Sequence, residues 1–164
     1  MRELTQVRDA VVSALQEAGL AAEAAFPHRP LPRCREALAA VAVGAAAGTA
    51  LGFCDYLGEV WDDQAGTVRE IYGKQLEGEI AVEIRAEQAA VCEDGCAVAS
   101  EVLLERLPDG ILPGELRWEA VRWEKETGMF LRRGTLQCRA LFLAQEQAEG
   151  GAFLDFILKG AMEQ

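Results

Sequence analysis

From Leu76 to Gln88 the chain alternates. Leu76, Gly78, Ile80, Val82, Ile84 and Ala86 share one parity, while Glu77, Glu79, Glu83, Arg85 and Glu87 share the other. A period of two marks a strand with one apolar and one wet face. Upstream the period changes. Leu4, Val7, Val11, Ala14, Leu15 and Ala18 recur at helical spacing and predict an amphipathic helix over residues 3–18, with Gly19 suited to end it. A short alternating run follows from Leu20 to Phe26. The stretch Pro27 to Arg35, PHRPLPRCR, then holds three prolines and three arginines. It suits neither a helix nor a central strand, so residues 27–36 read as an extended basic loop.

Ala37 to Val43 reads as a core strand. Leu57 to Trp61 and Thr67 to Tyr72 flank the turn-rich Asp62–Gly66 and predict a hairpin. Its second arm runs on into the alternating stretch, and unbroken it would span roughly 65 Å at strand rise. That length predicts either a bend or bulge at Gly73 or Gly78, or a long hairpin that projects from the body. Asp94 is placed to cap a second helix over about residues 95–107, with Val98, Val102 and Leu103 as its inner stripe. Leu107 to Gly114 ends that helix. A strand over Glu115 to Lys125 changes phase between Trp118 and Val121, which predicts a bulge. A last long strand covers about Leu131 to Ala144, and residues 150–164 form a C-terminal arm around FLDFILKG. The order predicts one α+β domain over residues 1–164: a mixed or antiparallel sheet with a long hairpin, packed against the N-terminal and central helices.

Charge narrows the function. The formal net charge is −11, and the only lysines are Lys74, Lys125 and Lys159. Nucleic-acid binders neutralise phosphates with clustered Lys and Arg, so sequence-specific nucleic-acid binding is not expected, nor is attachment to an anionic membrane. Ala37 to Cys54 carries no charge and spells Gly44-x-x-x-Gly48-x-x-x-Gly52. A membrane span needs about twenty strongly apolar residues, and this run is mostly Ala and Gly. It reads instead as a buried strand, a turn around Gly48 and a second strand. Cys34, Cys54, Cys92, Cys96 and Cys138 are odd in number and fit no disulfide framework. With an N-terminus lacking an apolar signal core, they point to a reducing, cytoplasmic setting.

Candidate chemistry is sparse. Glu77, Glu79 and Glu83 on one strand face raise the question of a metal-dependent nuclease. That pattern needs an acid two residues before a lysine, where this chain has Tyr72, Trp123 and Ile157. Glu79 and Glu83 would also lie about 13 Å apart along a strand, too far to share one ion unaided. A solvated or lumen-facing acidic surface is the simpler reading. Cys92 and Cys96 lack a second short Cys/His pair to complete a zinc site, and buried thiols explain them. His28, the one histidine, sits in the proline loop without an acid partner. No nucleophile elbow or phosphate-binding glycine loop is present. The sequence therefore predicts no enzyme, no cofactor and no metal ligands. Trp61, Trp118 and Trp123 are expected to pack against the sheet.

Two local patterns carry a resemblance. DYLGEVWDDQAGTVREIYGK supplies Tyr56, Gly58, Glu59, Tyr72, Gly73 and Lys74, and FLDFILKG supplies Phe153, Asp155, Phe156 and Gly160. With the order of elements, over roughly residues 4–160, the chain resembles the tail terminator (tail completion) family of contractile-tailed phages and prophages. The resemblance implies a structural protein made in the cytoplasm and incorporated into a virion or prophage tail. It would form a homo-oligomeric ring, usually six-fold, that caps the tail tube and meets the sheath or head connector. The matching residues would be scaffold: Gly58 and Gly73 bending strands, Tyr56 and Tyr72 packing on the sheet, Glu59 and Lys74 pairing across the hairpin. An acidic row of Glu77, Glu79, Glu83 and Glu87 would then face the lumen, where a negative wall repels DNA phosphate. Arg29, Arg33 and Arg35 become a candidate subunit contact. The alternatives are another tail or baseplate adaptor, a small metal-dependent enzyme using the acidic face or Cys92 and Cys96, and a monomeric binding module.

Overall fold

The computed structural model describes residues 2–25, 35–51, 55–145 and 155–158, the last four, Arg2, Ala144 and Gln145 by backbone alone. The arrangement is α+β, with two helices on one face of an eight-stranded sheet. Helix α1 (Arg2–Glu17) begins the chain and strand β1 (Ala21–Ala24) follows. Strand β2 (Leu38–Ala50) pairs parallel to β1 and antiparallel to β4 (Thr67–Ala86). Strand β3 (Tyr56–Asp62) pairs with the first part of β4 as a hairpin. Helix α2 (Ala89–Glu105) leads to β5 (Ile111–Trp118) and β6 (Arg122–Glu124), both on the far edge of β7 (Met129–Gln145). Strand β8 (Asp155–Leu158) adds to the end of β7.

The core lies between the helices and one sheet face. Val7, Val11 and Leu15 of α1 share one buried core with the even-numbered Leu76, Ile80, Val82 and Ile84 of β4. Burying such side chains contributes about 1.5–3 kcal/mol each, which is why the period-two pattern of β4 fixes its register. From α2 come Cys92, Cys96, Ala99, Val102 and Leu103. Gly95 lies among them for lack of space: a Cβ there would stand 2.6 Å from that of Ala37 and 3.1 Å from Ile84 Cγ2. Small residues on α2 let the helix axis come close to the sheet.

The structure departs from the sequence expectations at α2, β2, β4 and β5. Helix α2 starts at Ala89, behind Gln88, and not at Asp94. Its buried stripe extends upstream to Cys92, which leaves Asp94 exposed within the helix and replaces Val98 by Ala99 on the inner face. No turn interrupts β2 at Gly48, because the ladder from Ala46 to Ala50 against Gly78 to Lys74 carries the strand through. Among the described residues no helix is long and apolar enough to cross a membrane. β4 itself is unbroken, and its pairing with β7 runs without a shift from Gly73 to Ala86. The irregularities fall on its partners, between Val43 and Ala46 in β2 and between Tyr56 and Gly58 in β3. The strand expected over Glu115 to Lys125 is split into β5 and β6. Trp118 lies opposite Gly134 and Arg122 opposite Leu131, so four steps face three and one residue is extra.

Candidate functional site

The sheet face turned away from the helices carries the acidic residues singled out by the sequence. Glu77, Glu79 and Glu83 all project there from β4, Glu77 exposed and the other two half-buried. Glu87 is exposed but lies beyond the end of β4, in the bend before α2. Three of the four acids therefore share one strand face.

That face is not a bare negative wall. The β4–β7 register sets Glu83 opposite Arg133, Glu79 opposite Gln137 and Glu77 opposite Arg139. Arg133 Nε donates to Glu83 Oε1 at 2.6 Å, and Gln137 Nε2 donates to Glu79 Oε1 at 2.6 Å. Gln75 Nε2 donates to Glu77 Oε1 at 2.8 Å. Glu83 also meets Arg85 Nη2 at 2.7 Å, and the Arg85 Nε–Glu124 Oε2 distance is 2.8 Å. Thr127 donates to the same Glu124 oxygen at 2.7 Å. Thr127, Glu124, Arg85, Glu83 and Arg133 thus form one continuous chain of polar contacts.

Arg85 is the centre of that chain and only 7% exposed. Burial alone would pull its pKa down, but the hydrogen bonds it donates to Glu124 and Glu83, and their charges, outweigh it and push it up. Glu124 is held below the usual carboxylate range, chiefly by the hydrogen bond from Arg85 and against the effect of burial. The cost of taking these charges out of water offsets much of their mutual attraction, while removing one partner would leave a buried charge uncompensated. An open groove is lined by Glu79, Glu115, Arg117, Glu119, Thr135 and Gln137. Arg117 is spent on Glu115, with Nε at 2.8 Å from Oε1. Among the described residues, no group of three or more His, Cys, Asp or Glu side chains is arranged to hold a metal ion.

The thiols belong to the core. Cys92, Cys96 and Cys138 are buried and unbridged. Cys92 Sγ donates to the Ile84 carbonyl at 3.3 Å. Burial pushes the Cys96 thiol up to about 12 and that of Cys138 up to about 11. Such groups are poor nucleophiles near neutral pH. Cys34 and Cys54 lie outside the described residues, as do His28, Arg29 and Arg33. Arg35 is exposed, just before β2.

The hairpin motif takes on definite geometry. Tyr56 and Tyr72 face each other across the strands, with ring centroids 5.6 Å apart in an edge-on arrangement. They pack on one another, and Tyr72 donates its hydroxyl to Glu70 at 2.5 Å. Gly58 sits at the β3 bulge with φ of 139°, a region that side chains disfavour. Gly73 lies within the unbroken β4. It is buried, and a Cβ would stand 2.6 Å from Leu57 Cδ1 and 3.0 Å from the Phe142 carbonyl. Glu59 lies opposite Glu70 in the register, while Lys74 is ion-paired with Glu3 of α1. Glu70, the cross-strand neighbour of Glu59, is four residues from Lys74 along β4.

Sequence reasoning also misplaced two tryptophans. Trp118 does pack inward, donating Nε1–H to Ser100 Oγ at 2.9 Å. Trp61 and Trp123 are instead 59% and 52% exposed. Around Trp61, the hairpin side chains Leu57, Val60 and Val68 are also exposed. Apolar residues at alternating positions look alike in sequence whether the strand lies on a core or extends past it.

No protein-family model matches this sequence, and no curated protein does. Among solved structures, the chain is similar to a protein chain in the "Virion of native gene transfer agent (GTA) particle". The two share 17% identity with a TM-score of 0.40, and the match covers 84% of this chain and 94% of that one. The likeness is distant in both sequence and backbone.

Proposed function

We propose that this chain is a structural subunit of a phage or prophage tail, a terminator that assembles into a ring on the tail tube and joins tail to head. The observation that supports this best is the β3–β4 hairpin. β4 runs for 20 residues, but β7 pairs with it only from Gly73 onward. The hairpin before that point exposes Leu57, Val60, Trp61 and Val68. A monomer gains nothing from an apolar extension of this kind, whereas a ring subunit needs surfaces to offer its neighbours. The resemblance of the Tyr56–Lys74 motif to tail terminators points the same way.

In such a ring the face bearing Glu77, Glu79 and Glu83 lines the lumen, with Glu87 at its margin. Opposed arginines soften its field, so the wall is of mixed charge and neither grips nor strongly repels DNA phosphate. The basic segment with Arg29, Arg33 and Arg35 remains a second candidate contact between subunits.

Native mass spectrometry over a concentration series tests the reading. A six-fold species, or a ladder leading to one, supports the ring. A closed dimer that never grows counts against it and favours an adaptor. A structure of the assembly with Glu77, Glu79 and Glu83 on its outer wall removes the lumen assignment.

A further inference from the structure

Strand β2 has an edge that no described strand covers. β1 pairs with it only from Leu38 to Val41, and Ala25 N–H donates to the Val41 carbonyl at 2.8 Å. Beyond that point no strand among the described residues lies on its outer side, while β4 pairs with its inner side as far as Ala50. Gly44 to Ala50 are all exposed. One irregularity, between Val43 and Ala46, is followed by an even ladder from Ala46 to Ala50. That stretch is about 17 Å long at strand rise, the length of an ordinary strand.

Proteins guard such edges, because a row of unpaired N–H and C=O groups is a template for another strand. The other described edges here are guarded. β5 carries Pro113, Glu115 and Arg117, and its register shifts between Pro113 and Leu116. β1, β6 and β8 are no longer than four residues and contain Glu23, Arg122 with Glu124, and Asp155. The hairpin strands carry Glu59, Asp62, Arg69 and Glu70. From Ala42 to Ala50, β2 has no charge and no proline, and past Val43 its side chains are only those of Ala, Gly and Thr. An incoming backbone meets neither repulsion nor bulk.

The charge behind this edge selects what can add to it. Ala47 lies opposite Glu77 in the register, and Glu79 Oε2 stands 3.6 Å from where a Cβ on Gly44 would sit. Neither β2 residue has a side chain long enough to screen the acid behind it. Arg139 and Gln137, which lie opposite Glu77 and Glu79, stand on β7, one strand further from the edge. A strand added outside β2 would lie about 10 Å from β4, within reach of a lysine or arginine laid across Ala47 or Gly44. We propose that the β2 edge is a strand-addition site for an extended basic segment of another protein. Its backbone bonds along Ala46 to Ala50, and its Lys or Arg side chains meet Glu77 and Glu79. The described edges of a second copy fit less well: the hairpin would bring Glu59 and Asp62 to the same acids, and β5 presents Pro113 and Glu115. The site is separate from the hairpin and does not depend on the ring reading.

The probe is a short peptide alternating lysine and valine, titrated into the isotope-labelled chain and followed by amide NMR shifts. A glutamate–valine peptide is the control. The lysine peptide should move the amides of Ala46 to Ala50 and leave those of the hairpin in place, and the glutamate peptide should move neither. Glu79→Gln keeps the contact with Gln137 and removes the charge, and it should weaken the lysine peptide by a factor of about five. Ala47→Lys, at an exposed position, should weaken it at least as much, because a lysine there guards the edge and repels the probe. Shifts centred on the hairpin, an equal response to both peptides, or no response at Ala46 to Ala50 would overturn the proposal. So would movement of the same amides on concentrating the chain alone, if the lysine peptide cannot reverse it, because a second copy would then fill the edge.

Discussion

The guanidinium of Arg85 grips both carboxylate oxygens of Glu124, which is 39 residues away in sequence, with Nε–Oε2 at 2.8 Å and Nη2–Oε1 at 3.2 Å. The contact links the central strand β4 to the short strand β6 across β7. It makes the middle of the Thr127–Arg133 polar chain a fixed point, because two-point arginine–carboxylate geometry tolerates little rotation.

This pair should respond to acid. Glu124 titrates below its ordinary value of 4.5 in the folded chain. Its contribution is therefore complete above that pH and is lost as pH falls through the depressed folded value. Glu124→Gln keeps the shape but removes the charge, and the expected loss is about 1–3 kcal/mol at pH 7. For a chain of this size that corresponds to about 2–4 °C in Tm per kcal/mol. Thermal melts from pH 7 downward should show the gap between variant and wild type narrowing once the pH falls below 4.5. A constant gap between them would mean that the charge is not what holds the contact.

Gly95 and Gly48 make a contrasting pair. Alanine at Gly95 gains about 1 kcal/mol of helix propensity. Its methyl would also stand 2.6 Å from Ala37 Cβ and 3.1 Å from Ile84 Cγ2. Overpacking of this kind costs typically about 1–3 kcal/mol, and here neither neighbour is a flexible chain end that can swing away. Gly95→Ala is expected to destabilise the fold by about 1–2 kcal/mol net. A Cβ at Gly48 meets nothing within 4 Å, so Gly48→Ala should be neutral or slightly stabilising. Urea unfolding of both variants checks the pair.

Much of the fold was legible because burial imposes a period. The alternation of Leu76 to Ala86 fixed both the strand and its inner face, and the spacing of Val7, Val11 and Leu15 fixed α1. The misreadings share a cause: small residues and local signals that tertiary contacts override. Ala89 and Ala90 give little periodicity, so Asp94 looked like a cap. Gly48 looked like a turn, but its partner Leu76 holds it in a ladder. The acids of the open face were readable as a row. Their partners were not, because Arg133 is 50 residues from Glu83 and Gln137 is 58 from Glu79. Only the β4–β7 register brings them together.

The buried thiols should resist alkylation. Only the thiolate reacts readily, and burial raises all three of Cys92, Cys96 and Cys138, the last two to about 12 and about 11. At pH 8 their thiolate fractions are therefore small, and access is restricted as well. Treating the native chain with iodoacetamide and mapping peptides by mass should leave these three unmodified, with full labelling after unfolding in guanidinium. Rapid native labelling at Cys96 would show that α2 opens from the sheet far more often than its packing implies.

The last prediction separates the hairpin from the body. Strand β4 from Lys74 to Arg85 is bonded on both edges, by β2 and by β7. From Thr67 to Tyr72 its described pairing is with β3 alone. A two-stranded hairpin is marginal in water, and this one exposes its apolar side chains. Local opening should therefore be easy at Val60 to Val68 and close to global unfolding at Ile80 to Ile84. In hydrogen exchange on the dilute chain, the central amides should be slower than the hairpin amides by a factor on the order of a thousand. Raising the concentration until the chain associates should slow the hairpin amides selectively, because docking covers them while the central strand is already protected. Equal protection of both regions in the monomer would show that the hairpin is held by contacts within its own chain. It would then have no unmet surface to offer a neighbour.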